Sequence, residues 1–180
     1  LLPITGCITP KNMADGSPSL DSGEQHHNLA EKYIARFISS IRPYKQDPYS
    51  LYLQACYFQK RKKHKLAIEE FKRVVGVDPN YVNAYNGMGM SYDLLGDFTK
   101  AIDSYKKAIA LNPDLDYVQN NLGYSYLLHG DLDFAVEAFQ KAIALNDQDK
   151  RYHNNLGLAY ARKGRFDMAF AEFQLGGDKA

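Results

Sequence analysis

Residues 120–131 read NNLGYSYLLHGD, and residues 154–165 read NNLGLAYARKGR, the same frame 34 positions further on. Gly123 and Gly157 each interrupt a stretch with helical apolar spacing, where a glycine costs about 1 kcal/mol relative to alanine. An unfavourable residue kept at a fixed interval needs a physical reason, and so do the two asparagines before it. Gly89 adds an earlier copy. Tyr92, Tyr126 and Tyr160 form a second series, with Phe58 one interval before them. Ala67, Ala101, Ala135 and Ala169 form a third, and Phe71, Tyr105, Phe139 and Phe173 a fourth. Gly96, Gly130 and Gly164 make a fifth, and Pro79 and Pro113 a sixth. Six registers sharing one period mark a repeat protein.

The bulk numbers fit a folded chain and exclude several classes. Of 180 residues, 45 % are hydrophobic and 24 % charged, the balance of an ordinary folded protein. A net charge of +1 gives no electrostatic case for nucleic acid. Two cysteines, Cys7 and Cys56, make neither a disulfide framework nor a zinc site. No apolar run in the sequence reaches the roughly 18 residues of a membrane-spanning helix.

The period and residue pattern resemble the tetratricopeptide repeat family, from about Pro48 to Gln174. The resemblance implies an all-α solenoid of antiparallel helix pairs wound into a right-handed superhelix. Its units would span 48–81, 82–115, 116–149 and 150–180. In the second unit, helix A is expected near Val82–Leu95 and helix B near Phe98–Leu111. Gly96-Asp97 supplies the turn between them, and Asn112-Pro113 stops helix B. Gly89, Gly123 and Gly157 would then face helix B opposite Ala101, Ala135 and Ala169, where larger residues would overpack a close helix contact.

The two ends depart from the pattern. The chain starts LLPITGC without a methionine, as a fragment or processed form would. Ile4-Thr5-Gly6-Cys7 resembles a bacterial lipobox, which implies a lipidated Cys7 and membrane attachment. Residues 1–23 read as a flexible tether rich in polar residues. Residues 24–47 read as a capping helix and linker, with Ala30, Ile34, Phe37, Ile38 and Ile41 on one face. At the other end Gly176-Gly177 would close the last helix B, and Phe166, Ala169, Phe170 and Phe173 lack a following cap. The native chain is therefore expected to continue.

No catalytic, metal or cofactor site emerges. His26-His27 falls in polar chain, His129 precedes a turn where helix carbonyls end, and His153 takes the packing slot of Tyr85. Cys56 reads as a small packed thiol. Asp131 and Asp133 sit where caps are needed. Lys60-Arg61-Lys62-Lys63-His64-Lys65 reads first as a solvated turn, with lipid headgroups or phosphate as the functional alternative. Charge is uneven along the array: the first unit holds seven Lys/Arg against three acids, the third one against six.

What the resemblance implies for function is a protein or peptide partner held on an inner wall built from helix A. On the family's frame the wall holds Tyr49 and Tyr52 in the first unit, and Asn83, Asn86 and Met90 in the second. Tyr117, Asn120, Asn121 and Tyr124 follow in the third, and Arg151, Asn154, Asn155 and Leu158 in the fourth. Asparagine offers a donor and an acceptor to any peptide backbone. Removing Asn121 and Asn155 is accordingly expected to weaken binding and leave the melting temperature nearly unchanged. The carboxylate clamp of chaperone adaptors is missing, since neither Tyr52 and Cys56 nor Asn86 and Met90 supplies its lysine. Cys7, the repeated NNLG frame and the AFAEFQLGGDKA ending most resemble lipoproteins of Tad-type (Flp) pilus assembly at the bacterial envelope. A cytoplasmic adaptor and a regulatory array of a larger enzyme are the alternatives.

Overall fold

The computed structural model describes residues 47–177. Cys7, the tether and the capping segment up to residue 46 lie outside the described residues, as do residues 178–180. Within them the chain forms helices α1 Pro48–Lys60, α2 His64–Val77, α3 Val82–Leu94 and α4 Phe98–Leu111. The series continues with α5 Asp116–His129, α6 Leu132–Leu145, α7 Lys150–Arg162 and α8 Phe166–Gly176. The odd-numbered helices are the A helices and the even-numbered ones the B helices.

Each turn between A and B helices needs one residue in the left-handed region, and the sequence supplies Gly96, Gly130 and Gly164 there (φ 77°, 101° and 73°). In the first unit Lys62 takes the same conformation with φ 58°, although a side chain disfavours it. The loops from B to the next A are closed differently. The side chains of Asp78, Asn112 and Asn146 accept from the backbone N–H two residues on, at 3.0, 3.1 and 3.2 Å. Asp97 caps α4 by accepting from the Lys100 N–H.

The B helices bury one stripe each. In α6 it is Ala135, Ala138, Phe139 and Ala142, the i, i+3, i+4, i+7 spacing of a single face. The middle A helices are covered on several sides: α3 buries Asn86, Ser91 and Asp93 besides its apolar residues, and α5 buries Gln119, Asn121 and Ser125. That difference follows from stacking. Each B helix packs on its own A helix and the next one, and successive A helices also touch, whereas no contact between successive B helices occurs among the described residues. A helices therefore form the inner, concave side and B helices the splayed outer side.

The periodic glycines answer to helix B, but through its rings. A Cβ on Gly89 would stand 2.5 Å from the Tyr105 ring, one on Gly123 2.7 Å from Phe139, and one on Gly157 2.8 Å from Phe173. The expected alanine partner is among the nearest groups at Gly157, where the Ala169 carbonyl lies 3.1 Å away. At the last helix, Ala169 is buried and Phe173 packs on the core, so only Phe166 and Phe170 of the expected uncapped set stand exposed, joined by Leu175. Gly177, with φ 79°, ends α8 as the sequence implies.

Candidate functional site

The concave wall is where the A helices lie side by side, and the sequence-derived wall residues divide there into two groups. Tyr49 and Leu158 are exposed, and Asn83, Tyr117, Asn120, Tyr124, Arg151, Asn154 and Asn155 are half-buried. Tyr52, Asn86, Met90 and Asn121 are buried. Tyr52 packs between Phe71 and Tyr81, with ring centroids 5.9 and 5.2 Å away, and burial pushes its hydroxyl up to about 12.

The asparagine pairs bond to each other. Asn121 donates through Nδ2 to Asn86 Oδ1 at 3.1 Å, and Asn155 donates to Asn120 Oδ1 at 2.8 Å. The first asparagine of one unit thus meets the second of the next, 35 residues on. This corrects the expectation that Asn121 and Asn155 can be removed without structural cost. Asn121 is 2 % exposed, so Asn121→Ala strands the Asn86 carbonyl in a buried setting, worth about 1–3 kcal/mol. A loss of unfolding free energy of that size, read from a lowered urea midpoint, is expected; an unchanged midpoint would contradict the ladder.

Other wall positions are engaged as well. The Tyr117 hydroxyl donates to Asn83 Oδ1 at 3.2 Å. Arg151 is held by Asp149 through Nε and Nη2, at 2.9 and 2.5 Å. Beyond the expected wall residues, Arg162 at the end of α7 donates to the Leu127 carbonyl of α5 at 2.6 Å. Asn154 pushes its amide into the space that a side chain on Gly176 would fill, and its Oδ1 is buried without a hydrogen-bond partner among the described residues. His129 does not serve the helix carbonyls as expected. Its Nδ1 lies 2.9 Å from Asp131 Oδ2, so Asp131, expected as a capping side chain, makes no cap hydrogen bond. Asp133 instead pairs with Lys163. His153 is half-buried with Nδ1 2.8 Å from Glu172.

A second stitch between units was not anticipated. Gln59 donates through Nε2 to Ser91 Oγ at 3.0 Å and to the Gly87 carbonyl at 3.1 Å. One unit on, Asp93 replaces Gln59 and Ser125 replaces Ser91: the Ser125 hydroxyl donates to Asp93 at 2.5 Å, and the Tyr105 hydroxyl to its other oxygen at 2.8 Å. The signal was present, since Ser91 and Ser125 share the 34-residue register on an otherwise apolar face.

Burial raises the Asp93 carboxyl from 3.8 to about 6, outweighing the two hydroxyls that favour its charged form. The folded state therefore holds the proton more tightly than the unfolded chain, and stability rises as pH falls from about 7 towards 4. Asp93→Asn removes that slope, a difference of about 2–3 kcal/mol across the window. Melting curves for both proteins at several pH values check it; parallel profiles would refute the assignment.

No group of three or more His, Cys, Asp or Glu among the described residues could hold a metal ion. No described helix is long and apolar enough to cross a membrane.

Models of the tetratricopeptide repeat match residues 48–81 and 82–115, and one described as TPR repeat matches residues 126–164. The chain belongs to the tetratricopeptide repeat family. Among solved structures it is similar to MamA, with 25 % identity, a TM-score of 0.75, and coverage of 88 % of this chain and 94 % of that one. A thermophilic tetratricopeptide protein of Thermus thermophilus is also 25 % identical, with a TM-score of 0.66 and 84 % of each chain covered. YrrB, described as a TPR protein with an unusual peptide-binding site, shares the fold at 21 % identity and a TM-score of 0.67, over 78 % of this chain and 72 % of that one. No curated protein matches. With this family and these eight stacked helices, the chain is a tetratricopeptide protein-interaction scaffold.

Proposed function

We propose that the array holds an extended or helical segment of another protein against its concave wall. The observation that carries this reading is the accessible row along the A helices. Tyr49, Tyr117, Tyr124 and Leu158 present aromatic and apolar surface there, Tyr49 and Leu158 exposed and the other two half-buried. Tyrosine gives a large contact area with a polar tip, and a wall of this kind suits a segment with apolar anchors. The ladder asparagines act as spacers that fix the pitch between units, while Tyr124 and Leu158 do the gripping. The peptide-binding site named for YrrB belongs to that protein; here it is consistent with a wall used the same way. Tyr124→Ser with Leu158→Ser is expected to weaken partner binding at least about tenfold while helicity is kept. Retained binding would refute the role of the wall.

The place of action we propose is the bacterial envelope, with pilus or secretion machinery of the Tad type as partner. Cys56, expected as a packed thiol, is disulfide-bonded instead, so a lipid on Cys7, the other of the two cysteines, requires that bond to be open. The lipobox-like Ile4-Thr5-Gly6-Cys7 and the polar stretch after it support that reading. Palmitate labelling of the full-length protein in a bacterial host, lost on Cys7→Ser, is the expected result. Absence of label in the parent would overturn the anchoring.

A further inference from the structure

Antiparallel helix pairs place every A-to-B turn on one edge of the array and every B-to-A loop on the other. The two edges differ in charge. Segments 60–66, 94–100, 128–134 and 162–168 carry nine Lys/Arg against four acids, and segments 77–83, 111–117 and 145–151 carry two against five. A chain of net charge +1 is thus polarised across its width.

The first turn concentrates the effect. Lys60, Arg61, Lys62, Lys63 and Lys65 are all exposed, and no acid lies between Lys60 and Lys65. Each of the other three turns carries at least one aspartate: Asp97, Asp131 with Asp133, and Asp167. Large apolar side chains stand on the same edge: Leu94 at 54 % exposure, Phe134 at 56 % and Phe166 at 71 %, the last flanked by Arg165 and near Lys163. Cations and apolar groups sharing one solvent-facing edge match the chemistry of an interfacial surface.

The kind of anion follows from the kind of cation. Four of the five charges in the first turn are lysines, whose ammonium groups act as mobile point charges and do not grip carboxylates in the two-pronged way of arginine. The one arginine there lies over the Tyr57 ring, 5.3 Å from its centroid. These groups stand on a protruding turn, which favours a diffuse, extended anionic surface over a single carboxylate or a peptide strand.

We propose that this edge seats the array on an anionic lipid surface, the first turn supplying the attraction and Phe134 and Phe166 entering the headgroup layer. This goes beyond the binding role of the concave wall, which it leaves open to a partner, and it requires no acyl chain. If Cys7 carries a lipid, the edge is the second signal that a single chain needs for stable attachment.

The test uses the unacylated full chain and sedimentation with vesicles of phosphatidylcholine, alone or with about one third phosphatidylglycerol. Binding to the anionic vesicles is expected to exceed binding to the neutral ones at least about tenfold, and to disappear in roughly 0.5 M salt. Each lysine near such a surface is worth roughly a fivefold factor, so Lys60→Gln with Lys62→Gln and Lys65→Gln should lower binding about 100-fold with helicity intact. The same change at Lys72, Lys106 and Lys107, on the B helices, should matter less than about threefold. Because the chain has no tryptophan, Phe166→Trp gives a single reporter whose emission should shift to the blue on anionic vesicles. Equal binding to both vesicle types, or a triple variant that binds like the parent, would overturn the proposal. So would polyglutamate competing as well as vesicles at matched charge, which would reassign the edge to acidic protein segments. An unshifted emission from bound Phe166→Trp would overturn the insertion.

Discussion

Phe139→Ala is expected to lower stability by about 3–5 kcal/mol, the range for truncating a fully buried ring. Phe139 has no exposed surface and sits in the core cluster that joins the second, third and fourth units. Its ring fills the space beside Gly123, so removing it leaves a cavity between α5 and α6 that neither backbone can close. Repeat arrays hold together through contacts with nearest neighbours. The loss is therefore expected to loosen the third and fourth units first, and urea unfolding should split into two steps. A single transition displaced by less than about 1 kcal/mol would mean that the ring is not a keystone of the third unit.

Gly123→Leu is the converse experiment. A Cβ at this position would stand 2.7 Å from the Phe139 ring, and the rest of a leucine would have to enter the same space. Overpacking of this kind costs about 1–3 kcal/mol, on top of which the better helix propensity of leucine returns somewhat under 1 kcal/mol. The two changes share one cavity, so they should not add. Gly123→Leu in the Phe139→Ala background is expected to be nearly neutral, giving a coupling of about 1–3 kcal/mol in a double-mutant cycle. Additive losses would show that glycine is kept at this register for a reason other than the ring.

These effects rest on features that a single sequence displays. Helix ends were readable because each has local chemistry: α3 and α4 begin where expected, and α4 ends at Leu111 before Asn112-Pro113. The close approach of A to B was readable because Gly89, Gly123 and Gly157 recur in one register. The ring that leans on each glycine was not readable, since a period shows which positions are equivalent and not which side chain comes nearest.

The asparagines show why the wall was harder to read. Asn120 and Asn121 stand together in sequence, but each bonds to a residue 35 places away, on the neighbouring A helix. That pairing depends on how units stack, which is a property of the superhelix and not of any one helix. Asp93 is a similar case. It is buried between Tyr105 of its own unit and Ser125, 32 residues on in the next. The charged edge was half legible: the run from Lys60 to Lys65 is plain in the sequence, whereas its alignment with Phe134 and Phe166 requires the antiparallel topology.

A scaffold that works through its concave wall is tested most directly by photo-cross-linking in the cell. A benzophenone side chain would replace Tyr124 or Leu158 on the A helices, and Lys107 on the exposed side of α4. The expected result is one discrete adduct from positions 124 and 158 and none from 107. Adducts from 107 without any from 124 and 158 would contradict it.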